Sequence, residues 1–357
     1  MKWTTLSLTS LLALPLAIAN PTSYPPTIQI GQHVIFSYPG TTPPEQLYTL
    51  IHEGKVGGLI LFTENVHDDL PATIADLQTR YRLSPAYLGT PLLIMTDQEG
   101  GSIRRLPGGP EPSAKEVGSS SDPGTLAAET GLQAAEELLK YHMNSNLAPV
   151  LDVYRESGDF TDQWGRSYSQ DPEVVANCST RFLNSQQGEG VLATAKHFPG
   201  LGVAAAEENT DERPVTITAA LETIREVDEA PYGDAIEAGV AMIMPSWAVY
   251  PALDAERPAG MSERWIRGEL RERLGYQGVV VTDAIEAGSL EGFGDHANRG
   301  LLAKLAGVDI LLASGRNVTQ GEAIVNRLVE ALDSGELVQE DLDVSSERVR
   351  KMRELLL

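Results

Sequence analysis

Eight short apolar runs rich in Val, Ile and Leu recur along this chain, and they restrict its fold more than any other feature. They are "HVIFSY" (33–38), "GGLILF" (57–62), "PLLIMTD" (91–97), "NLAPVLDV" (146–153), "VLATAKHF" (191–198), "AMIMPS" (241–246), "GVVVTDA" (278–284) and "VDILLAS" (308–314). Runs this short and this continuously apolar suit strands buried on both faces, the pattern of a parallel sheet. Between them lie segments with helical period and recognisable start and stop signals. Examples are "PEQLYTLIHEG" (44–54), "GTLAAETGLQAAEELLKYHMN" (124–144), "PEVVANCSTRFLNSQQGEG" (172–190) and "SERWIRGELRERLG" (262–275). "GEAIVNRLVEALDSG" and "VSSERVRKMRELLL" follow the last strand. About eight β–α units over roughly 320 residues, with no long Gly/Ser linker, predict an α/β protein built as a single (β/α)8 TIM-type barrel. A doubly wound open sheet is the competitor, and the lack of a Gly-rich fingerprint after the first strand weakens it.

The opening "MKWTTLSLTSLLALPLAIAN" reads as a secretory signal, with Lys2, an apolar run from Leu6 to Ile18 and the small residues Ala17-Ile18-Ala19 at a cleavage site. A buried N-terminal helix is the bland alternative. The expectation is a signal peptide over residues 1–19, a barrel over 20–357, and a secreted, extracellular, soluble protein. No later segment has the roughly 20 apolar residues a membrane helix needs. With 27 Lys plus Arg against 50 Asp plus Glu, the formal net charge is -23. No basic patch stands out, which argues against nucleic acid and anionic membranes as partners. Composition leaves the oligomeric state open. Cys178 is the only cysteine, so no intrachain disulfide forms and the core must carry the stability. Asn177 in "NCS" and Asn317 in "NVT" fit the N-glycosylation acceptor pattern.

Ionisable residues sit repeatedly where the strands end. Asp97 closes "LLIMTD", Asp152 closes "APVLD", Lys196 and His197 close "VLATAKH", and Asp283 closes "GVVVTD". In a barrel of this kind the C-terminal ends of the strands carry the chemistry. Separated carboxylates with one Lys, one His and nearby Arg104, Arg105 and Arg166 suit a neutral, polyhydroxylated ligand. Metal binding is the rival, but there is no HxH or HExxH pair, and Lys196 would repel a cation beside His197. No metal and no cofactor are expected. Taken singly, Asp97 and Asp152 could each cap a helix or brace a loop, His197 could be a structural histidine, and Arg104 fits a surface ion pair.

The segments "TDQEGGSIRRL" (96–106), "NLAPVLDV" (146–153), "GRSYSQDPE" (165–173), "AKHFPGLG" (195–202) and "GYQGVVVTDAIEAGSL" (275–290) occur in this order. Together they resemble the N-terminal barrel domain of glycoside hydrolase family 3, above all its single-domain β-N-acetylglucosaminidases. The resemblance implies a secreted, metal-independent retaining β-glycosidase acting on carbohydrate, with N-acetylglucosaminides as the leading substrate. It implies Asp283 as nucleophile, and Asp97, Arg105, Arg166, Lys196 and His197 as sugar-binding residues. The absence of the second α/β domain usual in the family's β-glucosidases favours the acetylglucosaminidase group.

One departure matters. That group usually reads Gly-His-Gly after the Lys-His pair and then Asp-Ser-His, whose His is the general acid/base. Here the first is "GLG", with Leu201, and the second is "EENTDERP"; no histidine occurs between His197 and His296. A carboxylate of this loop, Asp211 first and Glu208 or Glu207 next, is expected to take the role if its pKa is raised. A surface turn at Asn209-Thr210-Asp211, a solvated acidic loop at Glu207 and Glu208, and His296 swinging in are the alternatives. The changed loop also keeps open a β-glucosidase-type activity on unsubstituted sugars, and a sugar-binding barrel with weak or no catalysis.

Overall fold

The computed structural model describes residues 24–357. The expected signal peptide lies outside the described residues. Eight parallel strands form one sheet: β1 Val34–Phe36, β2 Gly58–Ile60, β3 Leu93–Thr96, β4 Ser145–Asn146, β5 Thr194–Phe198, β6 Met242–Pro245, β7 Val279–Ala284 and β8 Ile310–Leu312. Each pairs with its sequence neighbour, and β8 pairs with β1. Parallel bridges at Ser145–Leu192 and Val150–Lys196 bring the two ends of the sheet together between β4 and β5. This is the expected barrel, with one strand in each apolar run. Most runs are longer than the paired strand they contain, and the fourth, 146–153, meets its strand only at Asn146.

Helices alternate with the strands. Three match the sequence reading closely: Glu45–His52, Pro123–Lys140 and Pro172–Gly188. The last two start at Pro after an Asp whose carboxylate caps a free backbone amide. The segment 264–273 is wound as a π-helix, not an α-helix. Two antiparallel hairpins, Gln98–Gly100 with Ile103–Arg104 and Val249–Tyr250 with Asp254–Pro258, were not visible in the apolar pattern.

The alternation of side chains along each strand sorts the core into two layers. Leu93, Met95, Met242, Met244, Val279 and Val281 fill the barrel interior. Leu92, Ile94, Ile243 and Val280 face the helices. Carrying the inward register one step further along β3 and β7 reaches Asp97 and Asp283. Sequence period alone thus delivers two carboxylates to the top of the barrel. At the other end the C-terminal helix, Gln339–Glu354, joins the interior layer through Val349 and Met352. Its Arg353, 2% exposed, donates to the carbonyls of Gln32, Gly57 and Pro91.

Cys178 is buried, and burial pushes its thiol up to about 12, which leaves it an unreactive core residue. Asn177 and Asn317 are both exposed; the Asn317 side chain caps helix Val318–Ser334.

Candidate active site

A cavity of about 530 Å³ opens at the C-terminal ends of the strands. Asp97, Arg105, Arg166, Lys196, His197, Asp211 and Asp283 all line it. The residues singled out along the sequence therefore share one site, with β3, β5, β7 and three loops each contributing.

Its floor is an ion network. Lys196, 3% exposed, donates to Asp97 at 2.8 Å and lies 2.7 Å from Glu99. Arg166 forms a two-pronged pair with Glu99 at 2.8 and 2.9 Å. Burial alone would raise the Asp97 and Glu99 carboxyls, but Lys196 with Arg105 or Arg166 outweighs it and holds both below the ordinary range. For Lys196 burial works the other way, and its two carboxylates keep it above the usual lysine value. These groups are charged at any ordinary pH and are fixed before a ligand arrives. Arg105 lies 3.7 Å from Asp97, and its Nε is buried without a hydrogen-bond partner in the protein.

His197 is set by Asp152. The Asp152 carboxylate, fully buried, accepts from His197 Nδ1 at 2.8 Å and from the amides of His197 at 3.2 Å and Leu201 at 2.7 Å. Asp152 is thus the brace for the Lys-His segment and does not line the cavity. The Lys196–His197 peptide is cis. Leu201 is buried at the cavity wall, where its side chain offers no proton.

Asp283 and Asp211 differ from the floor residues. Asp283 accepts a hydrogen bond from the adjacent Ala284 amide at 2.7 Å and enters no ion pair among the described residues. The Asp211 carboxylate likewise has no bonded partner among them, while its amide donates to Asn209 Oδ1 at 2.9 Å. Asp211 exposes a good part of its surface, yet it stands inside a concave wall. The surrounding protein strips water from it, and the charge of Asp283 adds to that effect, raising its carboxyl to about 6. The exposure means that solvent screens part of this interaction. Two backbone bonds, Gly288 N to Asp211 O at 2.8 Å and Ser289 N to Thr210 O at 3.1 Å, tie its loop to the loop after β7.

The other acid/base candidates lie elsewhere. Glu207 is exposed, Glu208 accepts from the Ala205 amide at 2.8 Å, and neither lines the cavity. His296 is exposed at the first position of helix His296–Ala306, away from the cavity wall. Arg104 braces its own hairpin through the carbonyls of Gly101 and Gly108. Among the described residues, no group of three or more His, Cys, Asp or Glu side chains is arranged to hold a metal. None of their helices is long and apolar enough to cross a membrane.

Reading the sequence missed Glu99, although it stands in "DQEGG" two residues from Asp97. The turn of the hairpin at Gln98–Gly100 brings it to Lys196 and Arg166, and no periodic pattern announces that. Glu286, held by Ser314 at 2.7 Å and Gln320 at 3.1 Å, and the exposed Trp164 also line the cavity without having been singled out.

The glycosyl hydrolase family 3 N-terminal domain matches residues 29–352. The chain is 56% identical over 329 residues to an uncharacterized secreted glycosyl hydrolase of Arthroderma benhamiae, covering 92% of this chain and 93% of that one. It is 32% identical to a β-hexosaminidase of Thioalkalivibrio sulfidiphilus, covering 84% of each. Among solved structures, a family 3 β-N-acetylglucosaminidase from Paenibacillus sp. superposes with a TM-score of 0.86 at 32% identity, over 92% of this chain and 62% of that one. A β-N-acetylhexosaminidase from Beutenbergia cavernae gives 0.81 at 29% identity, over 93% and 99%.

Proposed function

Because this chain belongs to glycosyl hydrolase family 3 and is a glycoside hydrolase, we propose that it is a secreted retaining β-glycosidase using two carboxylates, with β-N-acetylglucosaminides as its leading substrate. The observation that carries the mechanism is that Asp283 and Asp211 line one cavity, the second raised to about 6 by burial and by the charge of the first.

In this reading a terminal sugar sits on the ion network. Asp97 accepts from its hydroxyls, and Lys196, Arg105, Arg166 and His197 donate to its oxygens. Asp283 attacks the anomeric carbon while protonated Asp211 gives its proton to the departing glycosidic oxygen. The C1–O bond breaks, an ester to Asp283 forms, and the alcohol leaves. Esterified Asp283 carries no charge, so its contribution to the raised Asp211 pKa disappears, leaving burial and Asp97. Asp211 is then a carboxylate suited to take a proton from water, which attacks C1 and releases the sugar. One residue serves as acid and then as base because its neighbour's charge changes between the steps.

The sugar assignment is supported by the β-hexosaminidases among the relatives. Secretion is supported by the leader-like residues 1–19 and by the secreted relative. A panel of aryl β-glycosides tests the substrate: N-acetylglucosaminide should be turned over fastest. Preference for the unsubstituted glucoside would replace that substrate while keeping the mechanism; no turnover of any glycoside would reject the reading.

A further inference from the structure

Trp164 is the most exposed aromatic side chain among the described residues, at 55%, whereas Trp247 and Trp265 are 1% and 0% exposed. Its position is specific. It lines the active-site cavity and also a second depression of about 550 Å³ immediately outside it, the one residue common to both. The loop that carries it leans on the Asp211 loop, through Phe160 N to Ala204 O at 2.9 Å and Gln163 Nε2 to Ala206 O at 2.9 Å. The Trp164 carbonyl also accepts from Ser102 Oγ at 3.3 Å. An isolated surface indole would be unremarkable. An indole that joins the cavity holding Asp211 to a second concavity outside it is placed to meet whatever the leaving oxygen belongs to.

The chemistry of the second depression narrows the ligand. Its cations and acids are already engaged: Lys115 pairs with Asp162 at 2.6 Å, and Glu116 accepts from the amide and hydroxyl of Ser113 at 2.8 Å. The rest of its lining includes Gly101, Ser102 and Gly158. Such a surface offers small neutral polar groups and room, with the exposed Glu116 as its one carboxylate outside an ion pair, which disfavours an anionic ligand. The face of an indole is electron-rich and packs against the C–H face of a pyranose, while the sugar's edge stays free to hydrogen-bond.

We propose that Trp164 is the platform of a leaving-group subsite, and that the depression beyond it receives the next sugar, so that the substrate is a neutral β-linked oligosaccharide. This rests on the retaining-glycosidase reading, with Asp211 on the leaving-group side. Trp164 is a specificity-determining residue here, outside the bond-breaking machinery.

The test compares Trp164→Ala with the parent full-length protein on two substrates. These are methyl N-acetyl-β-glucosaminide and triacetylchitotriose, or methyl β-glucoside and cellotriose if the aryl panel selects glucose. Their leaving alcohols are similar in acidity, but only the trisaccharide has a ring to stack. For W164A, kcat/KM on the trisaccharide should fall about tenfold, mainly through KM, and stay within about twofold on the methyl glycoside. Trp164→Phe should recover most of the loss. Equal losses on both substrates would make Trp164 a support of its loop, and an unchanged trisaccharide constant would remove the subsite; either overturns the proposal. So would a trisaccharide-selective loss in Phe62→Ala, across the cavity, with W164A unaffected. If the parent protein hydrolyses no glycoside, the mechanism itself has failed; if it does and only W164A is silent, this inference alone has.

Discussion

At the N-terminal end of the barrel, Asp309 accepts from Arg271 at 2.6 Å, Arg348 at 3.3 Å, Ser345 Oγ at 2.7 Å and the Val280 amide at 2.9 Å. Lys304 joins the same cluster through Ser345 at 2.6 Å, and His33 through the Asp309 carbonyl at 2.7 Å. At the opposite end, Asp97 and Glu99 are matched in the same way, but Asp283 and Asp211 are not. Both ends bury charge, yet only one leaves carboxylates without a cation. Closed networks hold the fold; an unmatched pair costs stability, and on the proposed mechanism this one is kept for the chemistry. The two ends also differ in room: the hollow beside the Asp309 cluster and the C-terminal helix is about 200 Å³, against about 530 Å³ at the end that carries Asp283 and Asp211.

Substitution at each end should break this contrast in opposite directions. Asp283→Asn is expected to lower turnover of an activated aryl glycoside by about 10⁴-fold or more, equivalent to over ~5 kcal/mol of barrier, while leaving the melting temperature unchanged or higher. Thermal unfolding alongside kinetics checks both halves, and a large loss of stability would remove the distinction between the two ends. Asp309→Ala is the mirror image. It leaves the nearly buried Arg271 and the half-buried Arg348 without their carboxylate and should cost about 3–5 kcal/mol in denaturant unfolding, with turnover by the surviving folded fraction close to normal.

Asp211→Ala sharpens the comparison inside the active site. It should slow substrates with poor leaving groups about 10²- to 10³-fold and activated ones far less, with azide restoring part of the rate. A uniform slowdown across leaving groups would exclude Asp211 as proton donor. The pH profile is a gentler probe. As Asp211 must be protonated to act as the acid, kcat/KM should fall about tenfold per unit above pH about 6. Stability moves with the same proton. A carboxyl whose folded pKa exceeds its unfolded one holds its proton more tightly when folded, so its ionisation weakens the fold as pH rises through about 6. Asp211→Asn should therefore raise the melting temperature slightly at pH 7.5 and do so less at pH 5. In Asp283→Asn, carbon-detected titration should find Asp211 below its parent value, because the charge of Asp283 no longer raises it.

The barrel was legible because its strands are buried on both faces, and continuous apolar runs have few other uses. The same regularity exposed Asp97, Lys196 and Asp283, each one step beyond the apolar register of its strand. Asp211 was named on its loop's composition, and its place on the cavity wall depends on tertiary bonds that no local pattern encodes. Glu99 and Trp164 escaped for related reasons: one is turned inward by a two-stranded hairpin, the other is an aromatic whose exposure only the assembled loops define. The π-wound segment 264–273 carries helical periodicity, which does not distinguish the winding of that turn from an α-helix.

The close approach at Gly288 has a consequence for how such a site changes over time. A methyl group there would meet Glu212 O at 2.4 Å and Asp211 O at 3.0 Å, so the two loops touch through main chain alone. Their spacing is therefore indifferent to which side chain occupies position 211. On the proposed mechanism, a lineage could exchange the proton carrier at position 211 without re-engineering the span to Asp283, provided that glycine is kept.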